Sequence, residues 1–232
     1  KEYLKSKIAH RGTIAPMRKS MIFFLGILIP TTLFALDFSG TNLPYNDVQE
    51  GTPEAAGISV LTREGVLRGY ADGAFRPKNL LNRAEFLKIV LESRYVLFSD
   101  SFAAPELPCF PDVPSDAWYS AYVCFAKQEG MASGFPLEGV PSIDWKFHPE
   151  RSVTYAEALK MLSTLYRYDA TYEDGDEWYS SFLRSAKNKG VTLPIGTELG
   201  SPLTRGQMAR LTAAYLSESK GFLDAYRKSE RG

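Results

Sequence analysis

The apolar positions of this chain fall into paired helical stripes separated by polar, glycine-rich stretches. Ile58 and Leu61, Val123 and Ala126, and Leu183 and Ala186 each stand three residues apart, the spacing that lines one face of an α-helix. Each of these stripes runs into a glycine, Gly65, Gly130 or Gly190, the residue expected where a helix closes in a left-handed turn. A second set follows: Phe86, Ile89 and Val90; Leu159, Met161 and Leu162; Met208, Ala209 and Leu211. Before each stands Asn82, Thr154 or Thr204, and three residues later comes Glu85, Glu157 or Gln207, the pattern of a capping box. The pattern predicts an all-α chain of helix-loop-helix units whose stripes are core.

The units are copies of one another. At an offset of 65, Tyr45-Asn-Asp47-Val48 lies over Phe110-Pro-Asp112-Val113, Glu64-Gly65 over Glu129-Gly130, and Gly69-Tyr70 over Gly134-Phe135. At an offset of 60, Trp118-Tyr119 lies over Trp178-Tyr179 and Gly130-Met131 over Gly190-Val191. The copies converge again at Leu81-Asn-Arg-Ala-Glu85, Val153-Thr-Tyr-Ala-Glu157 and Leu203-Thr-Arg-Gly-Gln207. Their extents are 42–97, 108–167 and 170–220, followed by a polar tail at 221–232. One helix pair of this size cannot bury its own stripe, so the units are expected to pack together.

These residues resemble the S-layer homology modules of bacterial cell-surface proteins. Tyr70-Ala-Asp72-Gly73-Ala-Phe75-Arg-Pro77 is similar to that family's central loop, and Phe110-Pro-Asp112-Val113 with Trp118 is similar to its opening. The sequence departs from the pattern in each copy. Pro53 replaces the tryptophan in the first, Tyr155 replaces the arginine in the second, and the loop is missing from the third. The second copy's loop is also seven residues longer between Phe135 and Pro149. The resemblance implies a pseudo-threefold helical spindle that binds anionic secondary wall polysaccharide, often pyruvylated, in grooves between its units. It implies an anchor without cofactor, metal or catalytic residue.

Elementary chemistry shows how such a site would work. A capped helix start is expected to face outward with its amides and the positive end of its dipole, which favours an anion. Arg83 and Arg205, beside the caps Asn82 and Thr204, would add a planar fork suited to a carboxylate. The same arginines are also placed to pair with a neighbouring unit's carboxylate. Trp118 and Trp178 suit either the core or stacking on a sugar, and Asp72 with Gly73 reads first as a turn, with ligand contact as the other reading. Tyr155 predicts an altered middle groove, where Arg151 is the nearest cation in sequence.

Composition narrows the classes further. The full 232 residues balance 27 basic against 27 acidic residues, which argues against a nucleic-acid binder acting through bulk positive potential. Residues 1–35 carry six basic residues and one acidic, so the rest has a net charge of −5. Arg18-Lys19 followed by the apolar run Met21 to Ala35 has the grammar of a secretory signal, with cleavage expected near Ala35 and residues 1–16 read as an upstream extension of the frame. If uncleaved, that leader would be the chain's only tie to a membrane. Export to the cell wall permits a disulfide between Cys109 and Cys124, with two small buried thiols as the other reading. Outside anchoring to a secondary wall polymer, the readings are a tether to peptidoglycan, a component of the surface lattice, and a wall glycoside hydrolase. The hydrolase reading is disfavoured because Asp72, Glu85, Asp112 and Glu157 all recur as turn or cap residues.

Overall fold

In a computed structural model of the protein, residues 43–95 and 108–231 are described. The leader at 1–35 lies outside them. The described residues are helical: α1 Pro53–Arg63, α2 Arg83–Tyr95, α3 Ser120–Gln128, α4 Tyr155–Leu165, α5 Ser180–Asn188, α6 Arg205–Ser219 and α7 Leu223–Ser229. No helix among them is long and apolar enough to cross a membrane.

Local chemistry sets the helix limits. Thr52 caps α1 by accepting the Ala55 amide at 3.2 Å, with Pro53 at the first helical position, where its missing N–H costs nothing. Three capping boxes open α2, α4 and α6. Asn82 Oδ1 accepts the Glu85 amide at 2.8 Å while Glu85 accepts the Asn82 amide at 3.1 Å. Thr154 with Glu157 and Thr204 with Gln207 repeat that exchange. The stops of α1, α3 and α5 are followed by Gly65, Gly130 and Gly190 at φ of 74°, 72° and 80°.

The helices pair across copies. α1 packs on α6, α3 on α2 and α5 on α4, so each copy's first helix lies on a second helix from another copy. Gly57 lets α1 approach α6 closely, since a Cβ there would sit 2.5 Å from the Arg210 Cα. At the centre the segments before α2, α4 and α6 form a closed ring of backbone hydrogen bonds. The Leu81 amide donates to Leu203 at 3.2 Å, Leu203 to Val153 at 2.9 Å, and Val153 back to Leu81 at 3.1 Å. Tyr215 stacks on Tyr168 and meets Tyr166 at a tilt, and Ser93 and Ser163 bond the hydroxyls of Tyr166 and Tyr215 at 3.0 and 2.8 Å.

One stretch differs from its sequence reading. Residues 221–232, read as a polar tail, contain α7, which packs on α6 and α1 with Tyr226 fully buried.

Candidate functional site

The helix starts do not face outward with free amides, contrary to expectation. The first-turn amides of Arg83, Tyr155 and Arg205 donate to Arg151, Ser201 and Asn79 at 2.9, 3.1 and 2.8 Å. Those of Ala84, Ala156 and Gly206 donate to Pro149, Leu199 and Pro77, and the third amide of each helix goes to its cap. The neighbouring copy has therefore already used these donors, which leaves side chains as the groups these helix starts can offer. Asn82 and Thr204 are likewise committed to capping, and Asn82 also donates to Glu150 at 3.1 Å. Neither lines either of the two grooves described below.

Arg83 reaches from α2 into the second copy. Its Nε donates to the Phe147 carbonyl at 3.0 Å, Nη2 to Ser133 at 3.4 Å, and Nη1 lies 3.2 Å from Glu157. The guanidinium sits 4.6 Å from the ring centroids of both Phe135 and Phe147, and only 3% of the residue is exposed. Burial pushes its pKa below the ordinary arginine value, with Glu157 pulling the other way. Arg83 is thus partner to a neighbouring copy's carboxylate.

Arg205 repeats the placement from α6 into the first copy. Its Nε donates to Phe75 at 3.1 Å, with the guanidinium 4.7 Å from the Phe75 ring and 5.3 Å from Tyr70. It is half-buried, and among the described residues it makes no ion pair. Tyr155, the third member, is buried. Arg151 does not serve Tyr155: it pairs with Glu157 and lies 4.3 Å over Phe135, joining the Arg83 cluster.

Two aspartates hold the loops that receive these arginines. Asp47 accepts the amides of Phe75 and Arg76, both at 2.7 Å, and Asp112 accepts those of Phe147 and His148 at 2.8 and 2.7 Å. Sequence reasoning left this role unassigned, although the aspartate recurs with the loop and both are missing from the third copy. Asp72 accepts the Ala74 amide at 3.0 Å and pairs with Arg76 at 2.9 Å, which together lower its pKa. It shapes the turn with Gly73, and neither residue lines either of the two grooves described next.

Between the copies lie two open grooves of similar size. The first, about 490 Å³, is lined by Arg68, Glu85, Lys88, Glu92, Trp118 and Arg205 among others. The second, about 450 Å³, presents Arg83, Ser133, Phe135, Glu157, Lys160 and Trp178. Lys88 and Lys160 stand three residues beyond the capping glutamate of their helices, with Arg210 at the same place in the third copy. That recurring cation was the readable signal that sequence reasoning passed over. Lys88 pairs with Glu92 at 3.0 Å. Lys160 has its pKa lowered by burial and by Arg83, against the pull of Glu157. The indoles are not core: Trp118 is 56% exposed and Trp178 49%.

Sequence comparison now bears on this architecture. Residues 44–87 and 110–159 match the S-layer homology domain. Both S-layer homology stretches contain the aspartate, the loop it holds and the capped helix start. The third copy, which lacks the aspartate and the loop, lies outside them. The chain is 28% identical over 63% of its length to the middle cell wall protein of Brevibacillus brevis. It is 27% identical over 77% to the surface layer protein of Brevibacillus choshinensis, and 29% identical over 48% to cell surface glycoprotein 1 of Acetivibrio thermocellus. It spans only 13%, 14% and 4% of those proteins' own lengths.

The remaining candidates are structural. Cys109 and Cys124 form a disulfide with Cα atoms 5.4 Å apart, tying the opening of the second copy to α3. No cluster of His, Cys, Asp and Glu side chains suited to a metal gathers among the described residues.

Proposed function

We propose that this chain is a non-covalent anchor at the bacterial cell surface that holds an anionic wall polysaccharide in its first and second grooves. The observation that carries the reading is the repetition of one arrangement. Each groove combines a helix-start arginine, a lysine three residues past the capping glutamate, and an exposed tryptophan. A pyruvyl ketal offers a carboxylate to the cations and an apolar sugar face to the indole. Arg83 is tied to Glu157 and Lys88 to Glu92, whereas Arg205 and Lys160 make no ion pair among the described residues, so each groove keeps one cation available to a ligand. Two moderate sites on a repeating polymer gain through effective concentration. With −5 on residues 36–232, attraction must come from these local cations and not from net charge. The cell-wall and surface-layer relatives support the same location, and no bond needs to be made or broken.

Co-sedimentation with purified wall sacculi, before and after removal of the secondary polymer, tests the proposal. Loss of binding on removal is the expected result. Binding that survives removal moves the ligand to peptidoglycan, and no binding in either sample sinks the anchor.

A further inference from the structure

The third copy also builds a groove, and this one is shut. Tyr155 takes the place of the helix-start arginine, Gln207 that of the capping glutamate, Arg210 that of Lys88 and Lys160, and Leu211 that of Ile89 and Met161. Its open volume is about 10 Å³, against about 490 and 450 Å³ in the other two. The space is taken by α7, which lines it with Leu223, Tyr226 and Arg227, together with Glu230 just past its end. The other grooves receive Trp118 and Trp178, but the aligned residue of the first copy is Pro53, so no indole competes with α7 for the position.

α7 and its C-cap Glu230 bring a carboxylate and an aromatic ring into the groove. Arg210 Nε donates to Glu230 Oε1 at 2.6 Å, which sets a carboxylate on the cation equivalent to Lys88 and Lys160. The buried Tyr226 brings an aromatic ring and donates its hydroxyl to the Arg210 carbonyl at 3.0 Å, and Arg227 donates to Thr192 Oγ1 at 3.3 Å. A seven-residue helix has no stability of its own, so α7 is held by these contacts and not by its backbone. It joins α6 through Gly221, at φ 77° with open space around it.

From this we propose that the third groove is a latent site for an anionic saccharide, held closed by α7 as a built-in pseudo-ligand. The inference rests on the anchoring reading and adds to it that the carboxylate subsite lies at Lys88, Lys160 and Arg210. Intact chain then offers two sites, and release of α7 exposes a third.

The test inserts a protease site after Gly221 in a chain carrying Leu223→Asp and Glu230→Arg, so that the peptide leaves once the folded protein is cut. Uncut wild type and an uncut Glu230→Arg chain are titrated beside it with a methyl glycoside bearing a 4,6-pyruvyl ketal, followed by amide NMR shifts. Saturable shifts at Lys88 and Lys160 are expected in all three samples. Saturable shifts at Thr192 and Leu193 are expected in the cut chain, more weakly in Glu230→Arg, and not in wild type. Shifts at the first two grooves in the cut chain with none at the third overturn the latent site while leaving the anchor standing. Shifts nowhere, with native amide dispersion, overturn the anchor and the latent site together.

Discussion

Arg83 meets the carboxylate of Glu157 at 3.2 Å with its guanidinium almost wholly out of water. Arg83→Ala takes a buried cation from beside Glu157, leaving it Arg151 alone, and deprives the Phe147 carbonyl of its donor, so it should cost about 3 kcal/mol in urea unfolding. The aligned Arg205→Ala removes one backbone hydrogen bond from a half-buried residue and should cost about 1 kcal/mol. Binding to wall sacculi should show the opposite order, with Arg205→Ala the larger loss. Equal stability losses from the two variants would contradict the assignment of a structural role to one and a ligand-facing role to the other.

Asp112→Ala removes two charge-assisted hydrogen bonds to the loop that receives Arg83. The expected loss is about 2 kcal/mol, with Asp112→Asn intermediate because an amide keeps one acceptor oxygen. Hydrogen exchange should quicken first at the amides of Phe147 and His148. If exchange rises uniformly over the chain, the aspartate is not a local clamp.

Reducing the Cys109–Cys124 disulfide should lower stability by about 3 kcal/mol, the loop-entropy value for a separation of this order, 15 residues. Comparison of oxidised protein with a Cys109→Ser/Cys124→Ser chain in urea measures it. A difference below measurement error would show that packing already fixes the second copy's opening.

The second groove should lose affinity for an anionic saccharide at a pH below that at which an ordinary lysine, at 10.5, gives up its charge. Burial and Arg83 hold the Lys160 pKa below the ordinary lysine value of 10.5, so its charge is present at low pH and lost as pH rises through that lowered value. Titrating the saccharide against wild type and Lys160→Arg across that range should give a falling affinity in the first and a flat one in the second. Parallel profiles would remove Lys160 from recognition.

Alkali should also unfold the protein through its tyrosines. Burial raises the Tyr166 pKa from 10.0 to about 12, opposed by the Ser93 hydrogen bond, and burial raises Tyr168, Tyr215 and Tyr226 as well. Because the folded values lie above the unfolded one, the stabilisation is complete below pH 10.0; the share of Tyr166 drains as pH climbs through about 12 and that of the other three at higher pH. Tyrosinate absorbance and loss of helical circular dichroism should therefore rise together, and a tyrosinate transition that leaves helicity intact would show these hydroxyls to be accessible.

Helix limits were legible because caps and glycine stops act over a few residues: Asn82 with Glu85 and Thr204 with Gln207 carry their own geometry. Which helix lies on which was not, since periodicity marks the buried face of α1 without saying that α6 covers it. The open-amide picture of the helix starts failed for the same reason, as Pro149, Leu199 and Pro77 supply their carbonyls from other copies. Arg151 stands near Tyr155 in sequence, yet Glu157 and Phe135 attract it elsewhere. In α7 the apolar residues Leu223 and Tyr226 make a single short stripe among charges, too little to distinguish a docked helix from a solvated end.

The ring of Leu81, Val153 and Leu203 bears on how such a chain can change its size. An open stack of repeats lengthens by adding a unit at either end, each new unit covering the last. Here every one of these donors already has its acceptor, and α1 lies against α6, so a fourth copy would find no vacant partner without breaking the circle. Duplication can then yield a second complete ring on a tether but not a longer one, and affinity for a polymer would grow in whole rings.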